Sequence, residues 1–193
     1  MRSPTHFLIR PLGGRRYDNI KKFGDVEFIT SSSQEDHTVT NRYGEVLATP
    51  MNYDGEISVG DTLLVHHNVF KIYYDMKGRA KSGPCHFLDD TFMVEPDQFF
   101  LYKKGEAWKT HSRYCFVRPL DNEKCSIFNM NIENTRHRHL IGELVYSNRE
   151  LEALGLKEGD IIGFQPHSEY EFKIDGEILY RMFTQNICIK VST

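Results

Sequence analysis

Cysteine is scarce and scattered in this sequence. The four are Cys85, Cys115, Cys125 and Cys188, and none stand as C-x-x-C. Such spacing argues against a zinc knuckle, a redox motif or a disulfide framework, and a reducing cytoplasm is the expected setting. Long apolar runs are missing as well. Nothing approaches the roughly eighteen residues that span a bilayer, and Met1-Arg2-Ser3-Pro4-Thr5-His6 lacks the apolar core of a secretory signal. No membrane partner is expected. Charge of one sign is equally short: the formal charge of -3 argues against a general electrostatic grip on nucleic acid. Catalytic signatures are also lacking, with no dinucleotide glycine fingerprint, phosphate-loop lysine, H-E-x-x-H or G-x-S-x-G. Asp89-Asp90 is an acidic pair with no partner acid or base at a suggestive spacing. The expectation is therefore a non-enzyme, with no catalytic residues, cofactor or metal.

What is present is core material and a repeat. Hydrophobic residues make up 39% of the 193, with thirteen Phe and ten Tyr, enough to fold and not to stay disordered. The length suits one large domain or two small ones. Phe7-Leu8-Ile9-Arg10-Pro11-Leu12 returns as Cys115-Phe116-Val117-Arg118-Pro119-Leu120, and Gly44-Glu45-Val46-Leu47 as Gly142-Glu143-Leu144-Val145. Val59-Gly60-Asp61 with Thr62-Leu63-Leu64-Val65 returns as Glu158-Gly159-Asp160 with Ile161-Ile162-Gly163-Phe164. Gln98 with Phe99-Phe100-Leu101-Tyr102 is matched to Gln185 with Asn186-Ile187-Cys188-Ile189. Four matches in one order point to two diverged copies of a single unit. The offsets run 108 at the Arg, 98 at the first Gly, 99 at the Gly-Asp and 87 at the Gln. The second copy is thus ten residues shorter before its Gly-Glu and twelve shorter after its Gly-Asp strand. Length changes confined to connections are what homologous domains show.

Each block is short, rich in Val, Ile, Leu and Phe, and bounded by Gly, Asp or Pro, which reads as a strand. The expected class is all-β, a small barrel or sandwich in each half, with one short helix over Asn148 to Leu154 ended by Gly155. Domains are set at 1–104 and 105–193. A polar stretch, 103–112, contains the only tryptophan, Trp108, which is expected to pack the two halves together or to sit on an exposed linker.

The ordered blocks resemble the GroES-type co-chaperonins, whose opening Ile-Arg-Pro-Leu is seen as Ile9-Arg10-Pro11-Leu12 and, with Val, as Val117-Arg118-Pro119-Leu120. Gly44-Glu45-Val46, Val59-Gly60-Asp61 and the closing Lys173-Ile174-Asp175-Gly176-Glu177 follow the same pattern. The resemblance implies two tandem GroES-like small β-barrels acting as a co-chaperonin. It would cap a GroEL-type chaperonin during ATP-dependent folding, in the cytoplasm (a host's cytoplasm if the protein is viral). It further implies a docking loop between the first strand and the Gly-Glu strand. In the first copy that stretch is 13–43, and its apolar run is Val26-Glu27-Phe28-Ile29, followed by Thr30. Val26, Glu27, Phe28, Ile29 and Thr30 are the candidate chaperonin-binding residues; the same residues also read as an ordinary strand. In the second copy Ile127-Phe128-Asn129-Met130-Asn131-Ile132 alternates like a strand. The roof hairpin of the family is trimmed, and a tandem, trimmed form resembles divergent phage and plastid co-chaperonins.

Assembly into a homo-oligomeric ring is expected through edge strands at 7–12 and 187–191, with 99–102 against 115–120 mimicking that contact inside one chain. The alternative is a GroES-like barrel reused as a structural or binding module, possibly viral, without chaperonin contact. A further rival is a zinc site from His66, His67, Cys85 and His86, although histidines adjacent on a strand point to opposite faces. Lys71, Lys77, Arg79 and Lys81 with Tyr73 and Tyr74 would touch nucleic acid or an acidic partner, or form a solvated hairpin tip.

Overall fold

The computed structural model describes residues 3–17, 20–23, 26–29, 39–121 and 137–191. Among the described residues the protein is all-β apart from one short α-helix and two single-turn 3-10 segments, and it divides into two compact units, Met1–Lys109 and Thr110–Thr193. No helix among the described residues is long and apolar enough to cross a membrane.

In the first unit the strands are β1 (Phe7–Pro11), β2 (Ile20–Phe23), β3 (Val26–Ile29), β4 (Tyr43–Ala48), β5 (Thr62–Val65), β6 (Ile72–Tyr74), β7 (Ala80–Ser82), β8 (His86–Leu88), β9 (Thr91–Val94), β10 (Phe99–Lys104) and β11 (Ala107–Thr110). Seven of them form one sheet in the order β11-β10-β5-β4-β1-β9-β8, while β2-β3 and β6-β7 are separate two-stranded hairpins. The second unit contains β12 (Tyr114–Asp121), β13 (His137–Tyr146), α1 (Arg149–Ala153), β14 (Ile161–Phe164), β15 (Tyr170–Ile174), β16 (Glu177–Phe183) and β17 (Ile187–Val191). Its sheet runs β15-β16-β12-β13-β14-β17.

Read from opposite ends, the two sheets have the same order. β10, β5, β4, β1, β9 and β8 correspond to β17, β14, β13, β12, β16 and β15. Register agrees residue by residue. Ile9 faces Val46, Arg10 faces Glu45 and Pro11 faces Gly44, as Val117 faces Leu144, Arg118 faces Glu143 and Pro119 faces Gly142. Even the irregularity falls at one place, between Leu8 and Ile9 in one unit and between Phe116 and Val117 in the other. The Gly-Asp turns are equivalent too. Ser58 N–H donates to Asp61 Oδ2 at 2.8 Å, and Lys157 N–H to Asp160 Oδ2 at 2.8 Å. Gly60 and Gly159 sit at φ +93° and +89°, where a side chain is strained.

One match shifts. His66 N–H donates to Gln98 O at 2.9 Å, and its counterpart Gln165 N–H donates to Asn186 O at 2.9 Å. Gln98 Oε1 accepts from Glu95 N–H (2.9 Å) as Asn186 Oδ1 accepts from Phe183 N–H (3.0 Å). The equivalent of Gln98 is therefore Asn186, not Gln185, and Phe99 corresponds to Ile187. The offset there is 88, so the second copy is eleven residues shorter (99 − 88) after its Gly-Asp strand. The same break in register falls between Phe99 and Leu101 and between Ile187 and Ile189; Asn186 standing where the first copy has Gln98, with Gln185 beside it, hides the equivalence from the sequence pattern.

Each unit carries its own core. In the first it gathers Phe7, Ile9, Val46, Leu63, Val65, Phe70, Phe92, Val94 and Phe99, among others. In the second it gathers Cys115, Val117, Leu144, Leu151, Ile162, Phe164 and Met182. Buried aliphatic and aromatic side chains each contribute roughly 1.5–3 kcal/mol. Phe7 meets Phe99 edge-on at 5.3 Å, and Phe70 meets Phe92 at 4.9 Å, a favoured aromatic geometry. The helix forms as expected: Asn148 Oδ1 caps Leu151 N–H at 2.9 Å, and Gly155 leaves it at φ +84°.

Two expectations need correcting. β1 lies inside its sheet between β4 and β9, so 7–12 is not an edge. The strand that covers it, Thr91–Val94, has Phe92 and Val94 in the core, and these apolar residues require that position. Strands β10 and β12 each have both neighbours within their own sheets, so 99–102 does not pair with 115–120. The division between the units, after Lys109, falls within 103–112 as expected, and that stretch is largely strand: β10 turns at Gly105 (φ +62°) into β11, and Trp108 lies 6.0 Å from the Tyr43 ring with Lys103 Nζ 5.5 Å from its own ring. β17 is a sheet edge, paired on its described side with β14.

Candidate functional site

The two ends of the connection between β1 and β4 are held together at one foot. Gly13 and Gly14 turn it away from β1 at φ +73° and +68°. Asn41 holds the returning strand: its Nδ2 donates to Leu12 O (2.9 Å) and Arg15 O (2.8 Å), while its Oδ1 accepts from Tyr43 N–H (2.9 Å). Asn41 N–H donates to Arg16 O at 2.9 Å, and Tyr17 bridges Thr40. One side chain thus satisfies three backbone groups that no ladder serves.

Arg16 and Tyr17 extend this foot sideways. Arg16 Nε donates to Phe70 O (2.8 Å), Nη2 to Lys71 O (3.1 Å) and Nη1 to Ser82 Oγ (2.9 Å), and the guanidinium carbon lies 5.1 Å from the Phe92 ring centroid. Burial lowers the Arg16 pKa, opposed by Tyr17 and Asp90; an arginine this basic stays charged. The Tyr17 hydroxyl accepts from Ile72 N–H at 2.7 Å, and burial pushes its pKa up.

From this foot arises the β2-β3 hairpin, in which Ile20 faces Ile29, Lys21 faces Phe28, Lys22 faces Glu27 and Phe23 faces Val26. The candidate docking residues Val26, Glu27, Phe28 and Ile29 are therefore one strand of a hairpin separate from the seven-stranded sheet. Thr30 lies outside the described residues. So do the second copy's Ile127 to Ile132.

No protein-family model matches this chain, and no curated protein matches it significantly.

The proposed zinc residues are not gathered. His66 and His67 follow β5 in a turn rather than lying along a strand, so their rings do not alternate but stack at 4.1 Å. Cys85 is buried against the Gln98 carboxamide, 3.5 Å from Nε2, and burial raises its pKa. His86 Nε2 lies 2.8 Å from Asp89 O, with its ring edge-on to Phe92 at 5.2 Å. Among the described residues no group of three or more His, Cys, Asp or Glu is placed to hold a metal ion. Asp89, at φ +48°, and Asp90 make the β8-β9 turn.

The repeated Arg and Glu serve the sheet. Arg10 and Glu45 are cross-strand partners with Nε–Oε2 at 3.0 Å, and Arg118 reaches Glu143 (2.9 Å) and Glu177 (2.7 Å). Hydrogen bonding to Glu177, above all, raises the Arg118 pKa. Arg16, Tyr17 and Asn41 went unread in the sequence. Polar residues flanking a long connection carry no periodic signal, and their partners lie far along the chain.

Proposed function

We propose that the chain is a co-chaperonin of the GroES type, each unit a small GroES-like barrel, acting with a GroEL-type chaperonin and ATP to assist protein folding. The observation that carries this reading is the ordered motif series recurring at equivalent strand positions in both units, with a long closed excursion between β1 and β4 in the first. Docking is assigned to the Val26–Ile29 segment of that excursion. A clamped foot suits such a role: it fixes where the segment emerges and leaves its apolar residues to supply a modest affinity that multivalency multiplies. The reading places the protein in the cytoplasm, as a homo-oligomer. Of the two strand ends first considered for assembly, only β17 is an edge in the described sheets.

Refolding of a chaperonin-dependent substrate enzyme tests the proposal. The recovered activity should rise when this chain is added to chaperonin and ATP, and should not rise with the chain alone. No gain with any plausible host chaperonin would leave the barrel as a structural or binding module.

A further inference from the structure

The first copy exceeds the second by ten residues before the Gly-Glu strand and by eleven after the Gly-Asp strand, and these two stretches meet. Arg16, at the foot of the first, bonds Phe70 O, Lys71 O and Ser82 Oγ, which bracket the β6-β7 hairpin of the second. Tyr17 receives Ile72 N–H from the same hairpin. The β2-β3 and β6-β7 hairpins are therefore rooted side by side.

The β6-β7 hairpin has a fixed tip. Asp75 Oδ1 accepts from Lys77 N–H and Arg79 N–H at 2.9 Å each, Gly78 N–H donates to Asp75 O at 2.9 Å, and Gly78 sits at φ +72°. Lys71, Lys77, Arg79 and Lys81 stand against Asp75 alone, a net +3 on a chain of net -3. The Asp75 carboxylate is occupied within the turn and lies 3.7 Å from Lys81 Nζ. Met76 is fully exposed (106%), and Tyr73 and Tyr74 are 37% and 45% exposed. An exposed methionine on a bonded turn that also carries Lys77 and Arg79 contributes nothing to the core and suits an adaptable apolar contact. Base stacking is disfavoured, because the Tyr73 ring lies against Gly83, where a Cβ would come within 3.0 Å, and has Lys71 Nζ 5.3 Å from its centroid.

We infer that the β6-β7 hairpin is a second docking arm beside the Val26–Ile29 segment, setting Met76 and the basic residues Lys77, Arg79 and Lys81 of the same hairpin on an acidic protein surface of the same partner. This rests on the co-chaperonin reading. Binding to a GroEL-type chaperonin with ATP would be measured at low and moderate salt for wild type, K77E/R79E and M76D, with melting curves confirming that both variants fold. K77E/R79E should bind about tenfold more weakly at low salt and lose most of the salt dependence. M76D should weaken binding severalfold at both salts. Wild-type affinity in both variants, with wild type itself bound, overturns the second arm alone. Failure of wild type to bind overturns the co-chaperonin reading and this inference with it. Capture of a labelled single-stranded oligonucleotide, lost in K77E/R79E while chaperonin binding is unchanged, assigns the hairpin to nucleic acid instead.

Discussion

Replacing Arg16 with Ala tests the clamp on which the site depends. The substitution removes two part-buried bonds to the Phe70 and Lys71 carbonyls, at 2.8 and 3.1 Å, and a third to Ser82 Oγ at 2.9 Å. It also removes the cation 5.1 Å from the Phe92 ring centroid. Hydrogen bonds to a charged group are worth about 1.5–3 kcal/mol each when desolvated, and a cation over an aromatic ring about 0.5–1 kcal/mol at a partly exposed site. Since the Ser82 bond is exposed and the other two are only part-buried, those two are counted at the low end and the Ser82 bond and ring contact add little, so the expected loss is about 3 kcal/mol. With a urea slope of about 1–3 kcal/mol/M, the unfolding midpoint of the first unit should fall by about 1–3 M. Trp108 is the chain's only tryptophan and lies in that unit, so its fluorescence reports the right transition. R16K should fall between wild type and R16A, because one ammonium cannot serve three acceptors in the guanidinium's fork. A midpoint within about 0.2 M of wild type for R16A, or equal losses in R16A and R16K, would refute the clamp.

Other consequences follow from the same contacts. Gly142→Ala would set a Cβ 2.6 Å from Arg118 O and against Val117, so backbone must move and urea denaturation should show a loss of about 2–3 kcal/mol; Gly44→Ala meets the side-chain tips of Ile9 and Phe70 and should lose less. Burial pushes the Cys115 thiol up to about 12, so iodoacetamide at about pH 8 should label exposed Cys188 in the native protein and reach Cys115 only after denaturant, as peptide mass spectrometry would show. Bonding to Lys190, then to Lys157 N–H, holds Asp160 below the ordinary aspartate value. Its contribution is therefore present above about pH 4 and lost as pH falls through the lowered value, and D160N should flatten melting temperature against pH in that acid window.

How much the sequence revealed depended on periodicity. Leu63 and Val65, like Ile162 and Phe164, alternate over a Gly-Asp turn, and all four lie in the cores of their units. The Asp175-Gly176 turn was legible through the resemblance alone, as part of the closing motif, and both residues have positive φ, at +48° and +89°. The hairpin at 71–83 could be read from Gly78 and its flanking residues, though not the role of Asp75 at its tip. What escaped was non-local or irregular. Thr91–Val94 belongs to none of the repeated blocks, so the strand that removes β1 from the sheet edge was missed, and Gln185, beside the true counterpart Asn186, drew the Gln98 match off by one residue. At the candidate site, Val26-Glu27-Phe28-Ile29 suited both a strand and a docking run. Its pairing with Ile20-Lys21-Lys22-Phe23 was unread because two central lysines break the apolar pattern there.

The most direct test of the central claim is co-elution with a GroEL-type chaperonin and ATP in size-exclusion chromatography, comparing wild type with F28D/I29D. The account predicts that wild type travels with the chaperonin while the folded double variant elutes apart. If both co-elute, docking does not run through Val26–Ile29; if neither does so with any plausible host chaperonin, the protein is not a co-chaperonin.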